Sequence, residues 1–185
     1  MSLRLLLLSS FFAILTAVSS MFVIPLLVIP ITLQVAVVLL SGLLLGARGG
    51  AISQAFYVIL GLIGLPVFMG GVGGIQHIFS PTFGFLIGFI AAAATTGLFA
   101  RHAKSFYSCL LACFAGIVAM YTIALPLLFV NLKYVVRMDI GFVRLLEIGL
   151  IPFLIPDAIK ACVAAAVAVR LKGIINVYDN NCDRK

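Results

Sequence analysis

Apolar residues run almost without interruption through positions 3–33, 33–47, 50–68, 82–100, 106–130 and 147–171, and polar residues collect in the short gaps between these runs. A helix needs about 20 such residues to cross a bilayer core, or about 17 when short, at a rise of roughly 1.5 Å each. The pattern predicts six transmembrane helices. The second and third runs are short and meet at "GARGG" (46–50), which predicts a tight hairpin of tilted helices rather than two full-width rods. No polar stretch is long enough for a soluble domain, so residues 1–185 read as one transmembrane substrate-binding domain, an all-α compact bundle.

Composition points the same way. Hydrophobic residues make up 64% of the chain and charged ones 9%, with no tryptophan and a mean hydropathy of +1.32, too few polar groups to cover a water-soluble surface. The first twenty residues, "MSLRLLLLSSFFAILTAVSS", resemble a secretory signal, but hydrophobicity continues to Val28, which favours a retained helix. The net charge of +7 is distributed as topology. With the N-terminus inside, Arg4, Arg48, Arg101, Lys104, Arg170, Lys172, Arg184 and Lys185 fall on the inner side. Lys133, Arg137 and Arg144 fall on the outer side, beside Asp139 and Glu147. That bias predicts a multi-pass protein of a bacterial plasma (inner) membrane with both termini cytoplasmic. No soluble basic face with interleaved aromatics exists, which argues against nucleic acid as a partner.

Cys109, Cys113, Cys162 and Cys182 have no CxxC or Cys/His spacing, so no metal site is expected and the thiols read as packing residues. No HExxH, GxSxG or paired carboxylates occur, and no catalytic residue is assigned. The chain also lacks GxxxxGK[ST], so it carries no ATPase of its own.

The most irregular stretch is "GLPVFMGGVGGIQHIFSPTFG" (64–84), between the third and fourth predicted helices. Gly70, Gly71, Gly73 and Gly74 crowd into five positions, and Leu65, Phe68, Met69 and Phe79 are too apolar for a fully solvated loop. Unpaired backbone at membrane depth is tolerated only when buried in protein or lining a cavity, so the segment is a candidate binding loop or lid. His77 at its rim reads as a polar filler. The fourth and fifth runs hold no acidic residue and read as scaffold, and 131–146 reads as a solvated outer loop.

Asp157 and Lys160 stand in the last apolar run, three positions apart and therefore on one helix face within reach of each other. Each costs roughly 2.5–3.5 kcal/mol to insert near the middle of a span, so such residues pair and face an interior. Pro156 suits a first helical position, which would put Asp157 in the first turn. The pair is either a self-satisfied structural bridge or a ligand site offering an acceptor and a donor side by side. An uncharged ureido or amide ring matches the second reading, with Phe68, Phe79, Phe83 and Phe85 available to hold a flat or aliphatic body. From another class, an intramembrane enzyme would use Asp157 as acid or base.

The segments "PITLQ" (30–34), "LLGARGGAISQAFYVILGLIGLPVF" (44–68), "GGVGG" (70–74), "PTFGFLIGF" (81–89) and "PFLIPDAIKA" (152–161) occur in this order. In this combination the chain resembles the BioY family, the biotin-specific S components of energy-coupling factor transporters. The resemblance implies a six-helix bundle that binds biotin near its outer face under the 65–81 loop. It implies as partners a membrane coupling (T) subunit and two cytoplasmic ATPases, which would use the ATP; no cofactor is expected on this chain. It implies that Asp157 and Lys160 contact biotin, that Gly70, Gly71, Gly73, Gly74, Thr82 and Gly84 line the pocket with Phe68, Phe85 and Gln34, and that Ala13 and Ala17 form an AxxxA contact with the coupling subunit. Ser80, Phe83, Phe85, Ile155 and Pro156 depart from the usual pattern, which leaves an S component for a different vitamin as the alternative.

Overall fold

The computed structural model describes residues 3–25 and 29–182, with side chains described as far as residue 171. Val28, Arg184 and Lys185 lie outside the described residues, as do the side chains of Lys172 and Cys182. The chain is helical almost throughout. Helix α1 (Leu3–Ser19) leads into a minimal hairpin of β1 (Val23–Ile24) and β2 (Ile31–Thr32), then α2 (Gln34–Leu62), a 3-10 turn at Ile75–Phe79, α3 (Phe83–Phe99), α4 (Phe106–Val130), α5 (Phe142–Gly149) and α6 (Ile151–Cys182). Four segments, 34–62, 83–102, 106–135 and 142–171, are long and apolar enough to cross a membrane, and α1 is apolar over 17 residues.

The first apolar run is not one helix. After Ser19 the β-branched residues Val23, Ile24, Ile31 and Thr32 pair antiparallel, Val23 opposite Thr32 and Ile24 opposite Ile31. Pro25 and Pro30 have no amide hydrogen to continue a helix. The hairpin brings Pro30 and Thr32 to the wall of the cavity described below.

Within α2 the chain reverses. Gly46 adopts φ 71°, ψ −177°, outside helical geometry and in a region that glycine enters freely. In one straight helix, residues 23 apart would stand roughly 35 Å from each other. Instead Gln34 Nε2 donates to Tyr57 Oη at 2.6 Å, and Gln54 Nε2 reaches Ser41 Oγ at 3.3 Å. The two arms approach closely at paired glycines, where a Cβ at Gly50 would stand 3.0 Å from Gly42 Cα, and one at Gly42 would stand 2.5 Å from Ala93 O of α3, so only glycine fits there. This is the small-residue packing that helices in lipid need, since apolar burial itself drives little association there.

The same logic applies to α1. Ala13, 1% exposed, sits in the core, and Ser9 Oγ donates to Gly49 O of α2 at 3.2 Å. Ala17 is half-buried. Ala13 thus serves close packing inside this chain, and the exposed face of α1 beside Ala17 carries Leu7, Phe11, Ile14 and Val18.

Two boundaries differ from the sequence reading. Residues 131–135 continue α4 as a wider helical turn, with Asn131 and Leu132 buried, so 131–146 is not simply a solvated loop. Asn131 Nδ2 donates to Phe79 O at 2.7 Å, tying this turn to the glycine-rich segment. Helix α6 begins at Ile151, so Pro156 lies inside it and Asp157 in the second turn rather than the first. Pro152 takes the early position at which a missing amide hydrogen costs nothing.

Candidate functional site

A cavity with about 50 Å³ of enclosed space lies where the hairpin, the 63–82 segment and helices α2, α3, α4 and α6 meet. Its walls are mostly apolar: Ile29, Val35, Met69, Phe85, Leu86, Phe89, Met120 and Phe153. Phe85 is packed edge-on to Tyr121 (6.0 Å between ring centres) and tilted against Phe153 (6.3 Å).

One polar group projects from α4 and α6. Lys160 Nζ donates to Asp157 Oδ1 at 2.8 Å, and Tyr121 Oη donates to Asp157 Oδ2 at 2.6 Å. Asp157 is 2% exposed and Lys160 7%. Their three-residue spacing puts both on the inner face of α6, and each carboxylate oxygen has a donor. The ammonium and the carboxylate retain further hydrogen-bonding capacity toward the cavity.

A second polar group comes from the other side: Thr32 of the hairpin, Gln34 at the start of α2, His77 of the 3-10 turn and Thr82 at the start of α3. Thr32 Oγ1 donates to Gln34 Oε1 at 3.0 Å, which with the bond to Tyr57 occupies both ends of the Gln34 amide. His77 Nε2 and Thr82 Oγ1 share a hydrogen bond at 3.2 Å, and Thr82 Oγ1 is 2.9 Å from Ser80 Oγ. Burial pushes the His77 pKa below its ordinary value.

The 63–82 segment is positioned by its own packing. Phe68 is fully buried, with its ring wedged against Gly61, edge-on to Tyr57 at 5.6 Å and stacked on His77 at 4.6 Å. A Cβ at Gly61 would collide with that ring. Gly70, Gly71 and Gly74 have positive φ and serve as turn residues, while Gly73 is pressed against Leu65 O. Ser20 Oγ donates to Val67 O at 2.8 Å, and Gly74 N donates to Gly61 O at 2.7 Å, anchoring both ends of the turn region.

Of the residues singled out in the sequence, Gln34, Thr82, Phe85, Asp157 and Lys160 line the cavity together. Phe68 and Gly70, Gly71, Gly73 and Gly74 do not; they shape the segment that covers it. Gly84 faces α4, where a Cβ would stand 2.9 Å from Ala124 O, so it is a helix-packing glycine. Phe79 points outward, 65% exposed. The fifth apolar run is more than scaffold, since α4 supplies Tyr121. A tyrosine hydroxyl within a membrane helix requires a partner, and that signal was present in the sequence. His77 is a cavity residue rather than a filler at the rim.

A further cleft lies between α4 and α6, lined by Phe114, Val118, Leu125, Leu150 and Leu154, and it shares Tyr121 and Asp157 with the main cavity. Among the described residues no group of His, Cys, Asp and Glu is arranged to hold a metal ion.

These features define a multi-helix membrane protein that encloses a small-ligand cavity between its helices, beneath a strand hairpin and an irregular glycine-rich segment. The chain matches the BioY family over residues 1–176, and it belongs to that family. It is 39% identical to the probable biotin transporter BioY of Lysinibacillus sphaericus over 162 residues, covering 86% of this chain and 82% of that one. It is 38% identical to the biotin transporter BioY of Thermotoga maritima over 170 residues, covering 91% and 96%. In fold it is similar to the S-component for biotin from an ECF-type ABC transporter, with a TM-score of 0.80 at 24% identity over 94% of this chain and 95% of that one.

Proposed function

We propose that this chain is the substrate-specificity subunit of a vitamin uptake transporter and that its ligand is biotin. The observation that carries the reading is the buried Tyr121–Asp157–Lys160 group on the wall of an otherwise aromatic and aliphatic cavity. Biotin offers a ureido group with N–H donors beside a carbonyl acceptor, fused to an apolar ring that bears an aliphatic acid. A ureido N–H donates to Asp157, and Lys160 donates to the ureido carbonyl. Phe85, Phe89 and Phe153 cover the apolar ring. The carboxylate and ammonium are already desolvated and aligned, so the ligand meets a preorganised site. The relatives are named as transporters, and Asp157 accordingly serves as a ligand group, not as an acid or base in turnover.

The reading extends to the whole assembly. The two arms of α2 count as two of six helices, a hairpin of short tilted arms within a single functional domain, with both termini in the cytoplasm of a bacterial cell. A membrane coupling subunit and two ATPases drive release inward, and ATP is used by those partners. Contact with the coupling subunit is assigned to the outer face of α1 beside Ala17, because Ala13 is enclosed by this chain. Gly70, Gly71, Gly73, Gly74 and Phe68 act by holding the cover in place.

The test is binding of radiolabelled biotin to the purified protein in lipid discs, with a panel of other vitamins as competitors. Saturable binding at one site per chain, displaced only by biotin and its close analogues, supports the reading. Displacement by a different vitamin at lower concentration would assign the subunit to that substrate.

A further inference from the structure

Resting on the biotin reading, we infer that His77 with Thr82 forms a second pole of the cavity, holding the ligand's carboxylate end and tightening its hold as pH falls. The polar side chains of the cavity divide into two groups on different elements. In the first group a carboxylate ligand would face Asp157, a charge of its own sign, beside Lys160, whose ammonium is already paired with that aspartate. The second group contains no acidic residue among the described ones.

Within the second group Gln34 is engaged at both ends of its amide by Thr32 and Tyr57. His77 is held at one nitrogen only, by a 3.2 Å bond to Thr82 Oγ1. Its ring is fixed by the stack on Phe68, which is itself wedged against Gly61, so His77 presents its nitrogens in a set direction. The Thr82 and Ser80 hydroxyls, 2.9 Å apart, rotate to donate or accept as required. Together they are a pole whose polarity follows the protonation of His77.

The titratable groups in the same cavity are Tyr121, Asp157 and Lys160, bonded to one another, and Tyr57 lies behind Phe68 bonded to Gln34. None is hydrogen-bonded to His77, and Asp157, the one acid among the described residues lining the cavity, is already engaged by Lys160 and Tyr121, so an imidazolium at His77 has no carboxylate bonded to it. A ligand's carboxylate supplies one. Protonation of His77 and binding of an anionic tail therefore favour each other.

The experiment compares biotin with biotin methyl ester on wild type, His77→Gln and His77→Phe at about pH 5.5 and pH 7.5, which straddle the ordinary histidine range. In the wild type, the preference for the acid over the ester should grow about tenfold on acidification, the difference between a neutral and a charge-assisted bond. In His77→Gln, which retains a neutral hydrogen-bonding group, the preference should be the same at both pH values. The ester arm cancels any titration of Asp157, which both compounds meet alike. If the acid-over-ester preference of His77→Gln or His77→Phe grows on acidification as in the wild type, the inference is wrong and the carboxylate lies elsewhere. A wild type that binds neither compound overturns the biotin reading, and this inference with it.

Discussion

Tyr121 and Asp157, on different helices and 36 residues apart, are joined by a 2.6 Å hydrogen bond across the boundary between α4 and α6. The bond forms part of the wall between the ligand cavity and the apolar cleft. It also completes the second oxygen of a carboxylate whose first oxygen belongs to Lys160.

Tyr121→Phe removes that donor while keeping the ring against Phe85. Hydrogen bonds to charged groups contribute roughly 1.5–3 kcal/mol, so biotin affinity should fall by about tenfold or more. Calorimetric titration against wild type checks this; an unchanged Kd would mean the hydroxyl serves packing alone.

Asp157→Ala or Lys160→Ala leaves a buried charge without its partner and should destabilise the protein by roughly 3–5 kcal/mol. The double change Asp157→Leu, Lys160→Met removes both charges at once and should restore much of the stability while abolishing binding. Thermal unfolding in detergent measured beside biotin binding separates the two roles. A double variant as unstable as the single ones would assign the pair a mainly structural part.

Gly61→Ala introduces a methyl group where the Phe68 ring lies, in a well-packed region with no void to receive it. The ring and the segment it anchors should shift, and the segment should become more open to limited proteolysis between 63 and 82. Binding should weaken although Gly61 does not line the cavity.

Gln54 is fully buried, and its Nε2 lies within 3.3 Å of the hydroxyls of Thr16, Ser41 and Ser53. Each of these hydroxyls already donates to a backbone carbonyl of its own helix. Interhelical hydrogen bonds in membranes average about 0.6 kcal/mol, so Gln54→Leu should lower stability only slightly. A loss of several kcal/mol in a denaturation series would show that the amide organises the α1–α2 contact.

Burial lowers the His77 pKa, so the folded protein binds fewer protons there than the unfolded chain as pH falls through the unfolded value near 6.5. Stability of the ligand-free protein should therefore decline as pH drops through that value and level off below the folded pKa. The same Tm–pH series with His77→Gln should lack this component.

The helical, membrane-spanning character of the chain was legible because hydrophobicity is a property of residues in sequence, and bilayer thickness fixes how many of them a crossing needs. Asp157 and Lys160 were legible for the same reason: two charges in an apolar run stand out, and a three-residue spacing holds on any helix. The reversal at "GARGG" was also readable, because glycines interrupt two runs that are each too short for a full crossing.

What the sequence by itself determined is therefore that the chain is built of helices apolar enough to cross a membrane and which two charges must be paired among them. Tertiary structure alone decided that Tyr121 completes the pair and that His77 and Thr82 face it across one cavity. It also placed Gly70, Gly71, Gly73 and Gly74 outside the cavity lining and Ala13 in the core beside α2. The physical reason is that lipid faces and cavity faces are both apolar. A helix in a bilayer carries no polar stripe that marks its inner side, so which face turns inward is settled only by close packing among helices.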